Sequence, residues 1–145
     1  MYATNPLLVA SDQGALQVRE IKFRAWVDGK MIPVSNLDMD SDEPLVNGDD
    51  LNRFPCAWIE EPNALMQYTG LKDRNGVEIY EGDILRDVDS GWSGDIGYVK
   101  YNPVYFAFYQ KTEVDGSELE THFDYRGQAY EVIGNVYENP ELIND

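Results

Sequence analysis

A chain of 145 residues, 43% of them hydrophobic, suits one domain that buries roughly 70% of its unfolded surface and needs no covalent staples. Its 27 acidic against 11 basic residues leave a formal charge of −16, which excludes a broad nucleic-acid surface, because neutralising phosphates requires a basic stripe. One cysteine and one histidine exclude an intramolecular disulfide and a four-ligand zinc site, and no apolar run approaches the roughly 18 to 20 residues that cross a bilayer. A soluble protein in a reducing cytoplasm is expected, and its acidity serves either solubility or attraction of a basic partner.

Residues 1–18 read as an extension, with Asn5-Pro6 and Gln13-Gly14 breaking a short apolar patch at Leu7 to Ala10. From Arg19 the pattern changes to that of a strand. Ile21, Phe23 and Ala25 alternate with Lys22, Arg24 and Trp26, Asp28-Gly29 turns the chain, and Met31 to Val34 returns. Pro33 should hold that returning strand at a sheet edge.

Asn36 to Arg53 is acidic and reads as a polar connection without strands of its own. Asp38, Asp40 and Asp42, with Asp49 at position 12, have the oxygen spacing of a calcium loop. Glu43 stands where that loop needs glycine, and no helical pattern flanks it. A solvated loop is the reading, and no metal site is expected. Phe54 to Ile59 is an apolar anchor; Cys56 has no histidine or lysine near it in sequence to activate it.

Met66 to Asp87 is the densest stretch. Asn75-Gly76 is the expected centre of a two-residue type I′ hairpin between strands at either side, and Glu81-Gly82-Asp83 is a second turn feeding a strand from Ile84 to Val88. A Gly/Ser-rich loop then carries Trp92, which either folds onto the core or presents a contact.

Ile96 to Tyr101 and Tyr105 to Gln110 are aromatic-rich strands. Period 2 puts Phe106 and Phe108 on one face and Tyr105 and Tyr109 on the other. Such tyrosines either edge the core with wet hydroxyls or form a surface that stacks a base or a protein partner. Val114 to Ser117 turns into a strand on which His122 faces outward, a surface residue without ligand partners at metal spacing. Ala129 to Val136 is the last strand, with Gly134 permitting a bulge. Asn139-Pro140 then signals one helical turn through Leu142, capped by the Asn139 side-chain oxygen. Seven or more short strands and no sustained helical period predict an all-β, mostly antiparallel domain, closed or partly closed as a barrel.

Three blocks of this chain resemble the signature blocks of YopX proteins: Arg19-Glu20-Ile21-Lys22-Phe23-Arg24-Ala25-Trp26, then Gln67-Tyr68-Thr69-Gly70-Leu71-Lys72-Asp73 through Tyr80-Glu81-Gly82-Asp83-Ile84, and last Val132 to Leu142. The resemblance implies a phage or prophage protein with an SH3-like β-roll or barrel core over residues 63–145, N-terminal strands and an acidic connection added over residues 19–62, and a short C-terminal helical turn. It implies no catalytic residue, metal or cofactor. Family members typically begin next to the first block, so residues 1–18 are either a docking extension or an upstream start.

The expected function is therefore non-enzymatic: an accessory protein, alone or as a homo-oligomer, that interferes with a host factor or host defence in the cytoplasm of the infected bacterium. Its partner would be a host protein met by the acidic surface. Alternatively it captures a small nucleotide signal, with Trp92, Tyr98, Tyr101 or Tyr105 stacking the base and Arg86, Lys100 or Arg126 meeting phosphate. A structural or assembly role in the virion is the third reading.

Overall fold

The computed structural model describes residues 20–38, 45–47, 56–58, 64–89, 96–102, 107–114, 117–122 and 129–143. The fold is all-β, with strands running antiparallel and one sheet curled into a half-barrel. In chain order the strands are β1 (Phe23–Val27), β2 (Lys30–Val34), β3 (Asn36–Asp38), β4 (Leu45–Asn47), β5 (Cys56–Trp58), β6 (Leu65–Lys72) and β7 (Glu78–Tyr80), followed by β8 (Asp83–Asp87), β9 (Ile96–Asn102), β10 (Ala107–Val114), β11 (Ser117–His122) and β12 (Tyr130–Asn135).

They form a four-stranded sheet ordered β2-β1-β6-β7, a five-stranded sheet ordered β11-β10-β9-β8-β12, and a three-stranded sheet ordered β3-β4-β5. The N-terminal hairpin is thus built into the same sheet as the central one. β2 lies at that sheet's edge with Pro33 exposed, as its missing N–H requires. The acidic connection differs from expectation: β3 and β4 arise within it and pair Asn36 with Asn47. Their apolar members, Leu37, Leu45 and Val46, are too few in so polar a stretch to raise a strand signal.

The hairpin turns exchange the roles expected of them. The type I′ geometry occurs at Asp28-Gly29, where both residues have positive φ, 50° and 75°, and Val27 pairs with Lys30. At Asn75-Gly76 only the glycine is left-handed, at φ 82°. There the Gly76 N–H donates to Asp73 O at 3.0 Å and the Asp73 N–H to Val77 O at 2.8 Å, closing a three-residue loop over Arg74, Asn75 and Gly76.

Asp73 explains the longer loop. Its Oδ1 accepts the N–H groups of Asn75 (2.8 Å) and Val77 (2.9 Å), and its Oδ2 accepts that of Val132 (3.0 Å), so one buried carboxylate shapes the turn and ties it to β12. The Asn75 side chain, facing solvent, has no comparable hold on the backbone.

Two apolar clusters lie beneath the sheets. Ala25, Val27, Ile32 and Ala64 form one; Ile79, Leu85, Val99 and Tyr130 form the other. Full burial of Ile79, Leu85 and Val99 contributes roughly 1.5–3 kcal/mol each. Ile21, by contrast, precedes the first strand and is 69% exposed. The strand alternation read from Ile21 therefore begins at Phe23.

Gly82 joins the two larger sheets, donating its N–H to Val99 O and accepting that of Val136, each at 2.9 Å. At φ 78° it also sits where a Cβ would come within 3.1 Å of Met66 Sδ. Downstream, the β8–β12 register slips between Val132 and Gly134, the expected bulge. Pro140–Leu142 forms a single 3₁₀ turn with Pro140 in its first position, but Asn139 does not cap it. The Asn139 Oδ1 accepts the Asn135 N–H at 3.4 Å and lies 2.5 Å from where a Cβ on Gly134 would stand. Gly134 therefore gives room to the asparagine as well as to the bulge.

Substituting Gly76 by alanine is expected to lower the unfolding free energy by about 1–2 kcal/mol through left-handed strain alone, because the added Cβ meets no atom within 4 Å. Gly82→Ala should cost more, since the Met66 contact adds to the same strain. Denaturant titration of both variants checks the order; equal stability of Gly76→Ala and the parent would contradict the turn.

Candidate functional site

Arg24 on β1 and Lys22 just before it alternate with Ala25 and Val27, and each meets a partner more than fifty residues away. Arg24 Nη2 donates to Asp83 Oδ1 at 2.6 Å and to Glu81 O at 3.3 Å, while its guanidinium lies 4.7 Å from the centre of the Tyr80 ring. Asp83 is 2% exposed and its second oxygen, Oδ2, accepts the Tyr80 N–H at 2.8 Å. Burial pushes the Asp83 carboxyl above its ordinary range, and the Arg24 charge and the Tyr80 N–H work against that shift.

One step outward, Lys22 Nζ donates to Glu78 Oε1 at 2.6 Å and pairs with Glu20 at 3.2 Å. The Tyr80 hydroxyl donates to Glu78 Oε2 at 3.1 Å. Its bond to Lys22 lowers the Glu78 carboxyl, and burial together with the bond to Glu78 pushes the Tyr80 phenol up to about 12. The Tyr68 and Tyr80 rings lie 5.4 Å apart, with the Lys22 ammonium 5.6 Å from the Tyr68 ring. The face is a ladder of cations against aromatic rings, half-buried at Arg24 and wetter at Lys22.

The third block closes the arrangement. Trp26, on the same face as Arg24, stacks on Tyr137 with ring centres 5.4 Å apart and planes 18° from parallel. Asn135 Oδ1 accepts the N–H groups of Tyr137 and Glu138, and Asn135 Nδ2 donates to Glu138, which sets the loop that carries Tyr137. Arg24 and Asp83 escaped the sequence reading as a pair. Their available signal was a charged residue inside an alternating strand and an acid at the first position of another, each awaiting a partner.

The candidate ligand residues lie elsewhere, on the five-stranded sheet. On β9 the half-buried Tyr98 and exposed Lys100 alternate with Gly97 and Val99 and share a face with the exposed Arg86, which stands opposite Ile96. Tyr101 falls on the Val99 side and is 37% exposed. Trp92, Tyr105 and Arg126 lie outside the described residues, as does most of the acidic stretch read as a solvated loop, of which Asp38 alone stands on β3. His122 stands opposite Tyr109 in the β10–β11 ladder. Among the described residues no group of three or more His, Cys, Asp or Glu could hold a metal ion, and no helix is long and apolar enough to cross a membrane.

The model of the family described as YopX protein matches residues 22–144, and the chain belongs to that family. No curated protein matches it. Among solved structures, the crystal structure of protein EF1440 from Enterococcus faecalis is similar at 29% identity, covering 86% of this chain and 98% of that one, with a TM-score of 0.46.

Removing the cation from the buried pair strands Asp83 in a site with little water. Arg24→Met is therefore expected to cost about 3–5 kcal/mol near neutral pH. The sign of its pH dependence follows from burial: a carboxyl whose folded pKa is raised binds its proton more readily folded than unfolded. The deficit should then shrink as pH falls through the raised pKa of Asp83 and the buried charge disappears. Urea unfolding of parent and variant at neutral and mildly acidic pH reads both effects. A deficit that is absent, or that grows on acidification, would contradict the assignment.

Proposed function

We propose that this member of the YopX family is a non-enzymatic phage or prophage accessory protein that acts by binding, with its acidic exterior occupying a basic surface of a host factor. The observation that carries this reading is how the inner carboxylates are used. Asp73 accepts three backbone N–H bonds, Asp83 holds Arg24 and the Tyr80 N–H, and Glu78 holds Lys22 and the Tyr80 hydroxyl. A carboxylate so occupied is a poor general base, because protonation would disrupt the contacts that maintain its position. The charge free to act on another molecule then belongs to the exterior.

A formal charge of −16 suits a basic, nucleic-acid-binding surface as its target, since complementary potentials speed encounter and fix orientation. The host cytoplasm is where such a target would be met. A second reading, capture of a small nucleotide signal, draws on Tyr98, Lys100 and Arg86 sharing one sheet face, where a ring can stack a base beside two cations.

The test is affinity capture of the tagged full-length protein from host lysate, quantified by mass spectrometry at about 50 mM and about 500 mM salt, where screening lengths differ severalfold. Enrichment of nucleic-acid-binding proteins that wash off at high salt is the expected result. Absence of any salt-sensitive partner would overturn it. A small molecule that travels with the protein and leaves on denaturation would favour the nucleotide reading instead.

A further inference from the structure

The loop between β6 and β7 combines three features that bear on the chemistry of its own backbone. Asn75 and Gly76 are both exposed, and no atom lies within 4 Å of the position a Cβ on Gly76 would occupy. Residue 76 therefore carries no side chain to hinder the carbon side of the nitrogen that follows Asn75, and no residue beyond its chain neighbours fills that space. That nitrogen is nevertheless engaged, because the Gly76 N–H donates to Asp73 O at 3.0 Å. The asparagine is held from both ends: its N–H donates to Asp73 Oδ1 at 2.8 Å and its Nδ2 to Glu131 Oε1 at 3.4 Å.

We propose that Asn75 is a deamidation site that the folded hairpin holds in check and that local opening releases. The deprotonated Gly76 nitrogen attacks Asn75 Cγ, forming a C–N bond and a five-membered imide; the Cγ–Nδ2 bond breaks and the nitrogen leaves as ammonia. Water then opens the imide at either carbonyl, giving aspartate or isoaspartate, with no oxidant or reductant involved. Attack needs the reacting atoms at near-attack distance and alignment, and a Gly76 amide bound to Asp73 O with an Asn75 side chain turned to Glu131 is not free to reach it.

The product changes the structure in a defined direction. A carboxylate at position 75 loses the donor to Glu131 and sets a like charge beside it. Isoaspartate also lengthens the main chain within a three-residue loop whose N–H groups are spaced to fit one carboxylate, Asp73. Either product loosens the tie between this hairpin and β12.

Incubation of the full-length protein at mildly alkaline pH, folded and in denaturant, followed by peptide mapping for a gain of about 1 Da at Asn75, tests the proposal. Conversion in denaturant should exceed that of the folded chain by about tenfold or more, because reaction requires the open form. Glu131→Ala, at an exposed contact, should speed conversion in the folded chain about twofold or more and leave the denatured rate unchanged. Equal folded and denatured rates would overturn the gating, and an intact Asn75 after prolonged denatured incubation would overturn the site itself.

Discussion

The buried pair between Arg24 and Asp83 is the interaction on which the arrangement of this protein depends. It joins the second turn of the central hairpin region to the first strand, across 59 residues of chain, and further long-range contacts of the charged face lie beside it. The Tyr80 ring lies on the guanidinium, Glu78 takes Lys22, and Gly82 hands its backbone bonds to β9 and to Val136. Such a pair is poor evidence of net stability, because desolvating two ions offsets most of their attraction. Its physical effect is specificity: an alternative register of β1 against β6 would leave a buried carboxylate alone, a cost that excludes the slip.

The three sequence blocks that resemble the YopX signature meet at this place. Lys22, Arg24 and Trp26 come from the first, Tyr68, Tyr80, Gly82 and Asp83 from the second, Gly134, Asn135, Tyr137 and Asn139 from the third. Each has a partner or a backbone demand that accounts for it: ion pair, ring stack, left-handed φ, or close approach. The residues of these blocks thus serve the folding of the chain, and the proposed binding function is to be sought on surfaces they do not dictate.

Much of this fold was legible in the sequence where a local rule decides it. The strand at Phe23 to Val27, the edge position of β2, the turn at Glu81-Gly82, the hairpin that pairs Val114 with Ser117 and the bulge before Gly134 all follow from alternation, proline or glycine. What escaped depends on contacts distant in sequence. Asp73 gathers N–H groups from its own loop and from β12, which turns the expected two-residue hairpin into a three-residue one, and Asn139 is taken by Asn135 instead of capping its own turn. The strands β3 and β4 exist through pairing with each other and with β5, which no local pattern announces. For the ligand candidates, the shared face of Tyr98 and Lys100 follows from β9 being a strand, and only the pairing of Arg86 with Ile96 adds the arginine to them.

Native-state hydrogen exchange read residue by residue tests the central claim, that the blocks form one cooperative unit around Arg24 and Asp83. The amides of Trp26, Tyr80, Gly82, Val132 and Val136, which donate across elements or to the buried carboxylates, should share the slowest exchange and one opening free energy close to that of global unfolding. Exchange of Trp26 through a separate, much lower-energy opening, with Gly82 and Val132 still protected, would mean that the first strand is an appendage and would contradict the account.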